Sequence, residues 1–300
     1  MSEDLAQLLA AGERAAFHGR PAAGIAPLQQ AVAVAHAAGQ DDEATAAAWL
    51  LGVALGAAGR YGSALSVLTP LARGQADAAA RLFASLAAAT AASVHRQLGR
   101  HAAARELDTQ ALDLAGGAAE AEFDAHLGLA ADAVGLEDVA SAQVSLARAA
   151  ALVEGRSDWW RQRVRAQWVR AEISLLLDDP TPAVAACDTA VSLAEAAGAP
   201  RHVAKSLLFA GVAHLQGGQQ GEATATLRRA ATLAESLGCL PLVWHARAVL
   251  GALLAGTDDA ESARSLAAAR SAVLTIAADL PEDLRDQWLD RPDVSALLGA

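Results

Sequence analysis

The feature that most constrains this chain is a repeat. A small residue followed four positions later by an apolar one recurs as Gly24 and Leu28, Ala64 and Leu68, Ala103 and Leu107, Ala142 and Leu146, Ala183 and Cys187, Ala223 and Leu227, and Ser262 and Leu266. Successive second members stand 40, 39, 39, 41, 40 and 39 residues apart. A fixed period of this length makes each repeat one small unit that buries its apolar face by stacking on its neighbours. A second small residue precedes each pair by twelve positions: Gly12, Gly52, Ala91, Ala130, Ala171 and Gly211, with Gly251 eleven before Ser262. Each repeat therefore carries two anchors on two helices. Glycine inside a helix costs about 1 kcal/mol relative to alanine, so Gly12, Gly52, Gly211 and Gly251 predict positions where a neighbouring helix comes too close for a side chain.

Composition supports helices throughout. The chain is 54% hydrophobic but only 4% aromatic, so its apolar mass is alanine and leucine, both strong helix formers. The turns within repeats read HGRPAAG, AGRYGSA, LGRHAAA, VGLEDVA, DDPTPAV, QGGQQGEA and AGTDDAES. Glycine there supplies the left-handed helix stop, and Asp, Thr and Ser are expected to supply N-caps. Gly39, Gly74, Gly116, Gly155, Gly198 and Gly238 punctuate the ends of the second helices, giving about fourteen helices paired in sequence. A net charge of −11 argues against nucleic acid and anionic membranes as partners, since both demand clustered positive charge. Cys187 and Cys239 form no CxxC, and the N-terminus has acids where a signal peptide needs bases, so a reducing, cytoplasmic location is expected. No apolar run reaches the length of a membrane span.

Trp49, Leu51, Gly52, Leu55, Gly59, Arg60, Tyr61, Ala64, Leu68 and Leu71 fall at the spacings of the tetratricopeptide repeat signature. The chain resembles that family over residues 1–278, in the long variety of about 40 residues per repeat found in bacterial signalling and transcription regulators. The resemblance implies an all-α fold: a right-handed α-α superhelix, or solenoid, of about seven helical hairpins. The array would occupy 1–279, with repeats near 1–40, 41–76, 77–117, 118–156, 157–199, 200–239 and 240–279. A capping helix and tail would occupy 280–300, where Leu284, Trp288 and Leu289 stand at helical spacing suited to covering a terminal apolar face.

In such arrays the first helix of each repeat lines a concave groove. The register then places Arg161, Arg165, Trp168 and Glu172 on one stripe, continued by Arg201, Lys205 and Leu208 and then by His245. Earlier repeats present Asp42 and Trp49, then Glu120, Asp124 and Leu127, so the groove is expected to be acidic in its first half and basic around repeats five and six. Arginine grips carboxylate or phosphate bidentately and an exposed Trp168 would offer a flat apolar platform, which suits an acidic peptide or a phosphate-bearing partner. The candidate partner-binding residues are thus Arg161, Arg165, Trp168, Arg201, Lys205, His245, Trp49, Leu127 and Leu208. The bland alternative is a solvated arginine face, with Trp160 filling space between repeats. On that division Trp160 would be core and Trp168 a binding residue.

Other chemistry lacks its motifs. There is no GxxxxGK[ST] phosphate loop, no HExxH, no GxSxG elbow, and Cys187 sits at an apolar anchor as expected of an inert thiol. No catalytic residue, metal site or cofactor is expected. The reading is a non-enzymatic scaffold that binds a protein or peptide, with a ligand- or peptide-sensing regulatory module as the alternative and self-assembly left open.

Overall fold

The structure, a computed structural model, describes residues 3–73 and 78–299; the expected stop at Gly74 lies outside them. The described residues form sixteen α-helices and no strand. Two compact units divide the chain, Met1–Ser157 and Asp158–Ala300.

The first unit runs α1 (Glu3–His18), α2 (Pro21–Ala37), α3 (Asp41–Ala58), α4 (Tyr61–Ala72), α5 (Ala78–Gln97), α6 (His101–Ala115), α7 (Ala119–Gly135) and α8 (Val139–Val153). The second runs α9 (Trp160–Leu176), α10 (Pro180–Ala196), α11 (Pro200–Gln216), α12 (Gln220–Leu237), α13 (Leu240–Leu254), α14 (Asp259–Asp279), α15 (Glu282–Leu289) and α16 (Pro292–Leu298). Consecutive helices within each unit pack together, and successive first helices also touch, α1 with α3, α3 with α5, α5 with α7, α9 with α11, and α11 with α13. This is the tetratricopeptide-like helical-hairpin fold.

The mid-helix glycines act as the period predicts. A methyl group built on Gly211 would lie 2.6 Å from Leu227 Cγ, and one on Gly251 would lie 2.7 Å from Leu266 Cγ. Gly12 and Gly52 receive Leu28 and Leu68 in the same way. In these four hairpins the second helix drives a leucine knob into a gap that only glycine leaves on the first. Turns close as expected, with Gly59 ending α3 at φ +84°, a conformation a Cβ would strain. Side-chain caps are fewer than the turn sequences suggest: Asp138 accepts from the Ser141 amide and Asp258 from the Glu261 amide, while Asp179 and the arginines that precede α2, α4 and α6 make no such bond.

Repeat three departs from the expected register by one residue. Leu107 is only half-buried, and the next residue, Asp108, is fully buried together with Ala104. The tail behaves as a cap. Trp288 is buried, meets Trp244 edge-on at 5.7 Å, and lies beneath the Arg291 guanidinium at 4.6 Å.

Candidate functional site

Helices α9, α11 and α13 lie side by side in the second unit, and none carries an acidic residue in its first turn. Backbone dipoles leave positive charge at a helix N-terminus where acids are as a rule stabilising, and these three helices, like α5 in the first unit, carry none. In the first unit α3 follows the rule with Asp41, Asp42 and Glu43, and α7 with Glu120 and Glu122. In the second unit arginines take those places, Arg161 and Arg201 each being the second residue of its helix.

Arg201 is the most unusual of them. Its Nε is buried and has no hydrogen-bond partner among the described residues. Burial, followed by repulsion from the Arg161 and Arg165 guanidiniums, holds its pKa below the usual arginine range. The one group pulling the other way is the Cys239 sulfur, but burial raises that thiol's own pKa, so at neutral pH it supplies no countercharge. An arginine stays protonated even so. The result is a guanidinium whose Nε is buried without a partner and on which Arg161 and Arg165 act with charge of its own sign.

His202, the next residue, is 1% exposed, and its Nδ1 also lacks a partner. It stacks on Trp168 with ring centroids 5.5 Å apart and meets the edge of Trp160 at 5.0 Å. Burial, then the charges of Arg201, Arg161, Arg165 and Lys205, push its pKa well below 6.5, so it is neutral. His245 on α13 is neutral too: burial lowers it to about 4. Its Nδ1 carries the proton, because that nitrogen donates to the Pro241 carbonyl at 2.7 Å.

The structure corrects the expected apolar platform. Trp168 is 6% exposed, its indole N–H donates to Ser206 Oγ at 2.8 Å, and Ser206 donates in turn to the His202 carbonyl at 2.8 Å. Its ring fills the seam between α9 and α11, and the Lys205 ammonium caps it 4.5 Å from the centroid. Trp160, assigned to the core, is instead the half-buried one. Leu208 and Leu127 are buried as well. A stripe that reads as groove-facing along one helix is, in three dimensions, partly the seam between neighbouring first helices. Trp49, in the first unit, is half-buried, donates to Thr90 Oγ1 at 3.1 Å and leans on Phe83.

Arg161, Arg165, Arg201 and Lys205 are therefore brought together, all four acting on His202, while Trp168 and Leu208 belong to one buried apolar cluster of the same unit. Lys205 also acts on His245. Trp49 and Leu127 belong to the other unit.

Sequence reasoning missed a buried cluster in the first unit. Arg96 on α5 bonds Asp108 on α6 and, at 2.9 Å, Asp132 on α7. Asp108 occupies a knob position held elsewhere by leucine, and a methyl on Gly128 would collide with its carboxylate. Burial and the nearby Asp132 raise the Asp108 pKa against the pull of Arg96. The available signal was an aspartate one residue from the expected leucine with a glycine twenty residues on. Among the described residues no three His, Cys, Asp or Glu side chains group as a metal site would require. Cys187 is fully buried, and burial raises its thiol to about 12, as befits an inert core sulfur. No helix among the described residues is long and apolar enough to cross a membrane.

Comparison with known proteins bears on the fold. No protein-family model matches the chain, and no curated protein matches it. Among solved structures, it is similar to a Rap protein complexed with Competence and Sporulation Factor, with a TM-score of 0.67 and 12% identity over 99% of this chain and 80% of that one. It is also similar to aspartyl phosphate phosphatase F from Bacillus subtilis, with a TM-score of 0.52 and 13% identity over 100% of this chain and 83% of the other. At such identities the likeness is one of fold.

Proposed function

We propose that the protein is a non-enzymatic binding scaffold that takes an acidic peptide or protein segment on the first helices of its second unit. The observation that carries this is the concentration of Arg161, Arg165, Arg201 and Lys205 around His202, in a chain whose net charge is −11. A local concentration of one sign of charge attracts and orients a ligand of the other sign. Arginine forks add bidentate geometry to the charge attraction, and the packed apolar cluster keeps their helices rigid. Recognition of this kind needs no bond-making or proton transfer.

A second reading, a ligand- or peptide-sensing module of a bacterial signalling system, draws support from the fold shared with the Rap protein that holds Competence and Sporulation Factor. Both readings place the ligand on the same strip; they differ in whether its binding alters the protein's action on a further partner.

The test uses fluorescence anisotropy with a fluorescein-labelled hexaglutamate peptide, comparing the unmodified protein with an Arg161→Glu, Arg165→Glu, Lys205→Glu variant shown by circular dichroism to be folded. Binding that weakens with salt and falls more than about tenfold in the variant is expected, since exposed charge pairs are screened over about 10 Å at 0.1 M salt. Equal binding by both proteins, or none by either at low salt, refutes the assignment.

A further inference from the structure

Arg201 differs from the other cations of the strip in a way that narrows the ligand. An arginine on a protein surface keeps its water, and one in an interior is held by a carboxylate. Arg201 has neither arrangement at its Nε, which is buried without a partner. The groups acting on its guanidinium are Arg161, Arg165 and the neutral Cys239 thiol. It also sits in the first turn of α11, and Cys239 is the N-cap of α13, so two helix N-termini add their positive ends. Beside it, the buried His202 Nδ1 is likewise without a partner. Two adjacent residues thus keep buried polar nitrogens unsatisfied where positive potential is concentrated. A carboxylate satisfies one guanidinium fork; several guanidiniums and two helix N-termini match the greater charge and three terminal oxygens of a phosphate monoester better.

We infer that Arg201, flanked by Arg161 and Arg165, is the centre of a phosphoryl-binding site at the N-terminal edge of α11. The inference deepens the proposed function and rests on the same basic strip. The phosphoryl group is carried either by a phosphorylated side chain of a protein partner or by a small molecule, and the chemistry at Arg201 is the same for both.

The test measures thermal stabilisation by inorganic phosphate against sodium chloride and sodium acetate at equal ionic strength, followed by calorimetric titration with phosphate, with O-phosphoserine and with a phosphoserine-containing peptide. A saturable rise in Tm with phosphate is expected, larger than with either control, because a ligand that binds the native state alone stabilises it by mass action. Arg201→Gln should bind phosphate at least about tenfold more weakly, one bidentate charged contact being worth that much. Arg201→Lys, which keeps the charge and loses the fork, should fall between the two.

Without ligand the Arg201→Gln variant should melt no lower than the unmodified protein, because it removes a cation whose Nε is buried without a partner and which Arg161 and Arg165 repel; a fold lost on this substitution, or phosphate binding unchanged in it, overturns the inference. So does stabilisation no greater with phosphate than with chloride. Tighter binding of the peptide than of O-phosphoserine identifies a protein source, and equal binding a small molecule. If phosphate requires Arg201 while hexaglutamate does not bind, the site stands and the acidic-peptide reading falls; if hexaglutamate binds and phosphate does not, the reverse holds.

Discussion

Replacing Trp168 by alanine tests the geometry of α9 against α11 directly. The ring is 6% exposed, stacks on His202, and its N–H is satisfied by Ser206 at 2.8 Å. Removing a buried tryptophan leaves a cavity and costs about 3–5 kcal/mol. At about 2–4 °C per kcal/mol, the Tm should fall by about 6–20 °C. Trp168→Phe keeps most of the stack and gives up the hydrogen bond, for a loss of about 1 kcal/mol plus a smaller packing term. Trp160→Ala should cost less than Trp168→Ala, since Trp160 is half-buried and meets His202 only at its edge. Thermal melts followed by far-UV circular dichroism measure all three. A Trp168→Ala protein that loses less than about 1 kcal/mol, yet binds hexaglutamate poorly, would show that the ring is a binding platform after all and refute the seam assignment.

The packing and the buried titratable groups give three further outcomes. Gly211→Ala places a methyl 2.6 Å from Leu227 Cγ, so overpacking should outweigh the helix-propensity gain and destabilise by about 1–2 kcal/mol in urea melts; a stabilised variant would refute the knob-into-gap packing. His245 holds a pKa of about 4 in the fold against 6.5 in the unfolded chain, so the unfolded state binds more protons between those values and stability declines as pH falls from about 6.5 towards 4. The His245→Gln variant should show a shallower decline over that window, and an unchanged slope would contradict the assignment. Native protein should leave the buried thiols of Cys187 and Cys239 unreacted with Ellman's reagent until denaturant is added; rapid labelling of the native state would show that they are accessible.

The fold was legible because its logic is one of spacing. A small residue and a larger buried one recur together at a fixed spacing, and Gly12, Gly52, Gly211 and Gly251, each receiving a leucine, mark close approaches of the two helices of a hairpin. Apolar periodicity failed at repeat three, where the buried knob is Asp108 and its stability comes from Arg96, on a different helix. A scan for leucine cannot see an aspartate whose partner is supplied by tertiary structure. The cationic cluster was readable as charge on the stripes of α9 and α11. The burial of Trp168 was not, because one helix stripe spans both an open face and a seam, and only the neighbouring helix decides which residue enters the seam. Nor could the sequence show that Arg201 is the cation with a buried, unpartnered nitrogen, since that depends on what α9 and α13 bring near it.

The most direct measurement is hydrogen–deuterium exchange of the full chain with and without hexaglutamate. The account predicts slowed exchange confined to the first turns of α9, α11 and α13, with no change in α3 or α7, whose first turns are acidic. Protection in the first unit, or spread over the second helices α10 and α12, would contradict it.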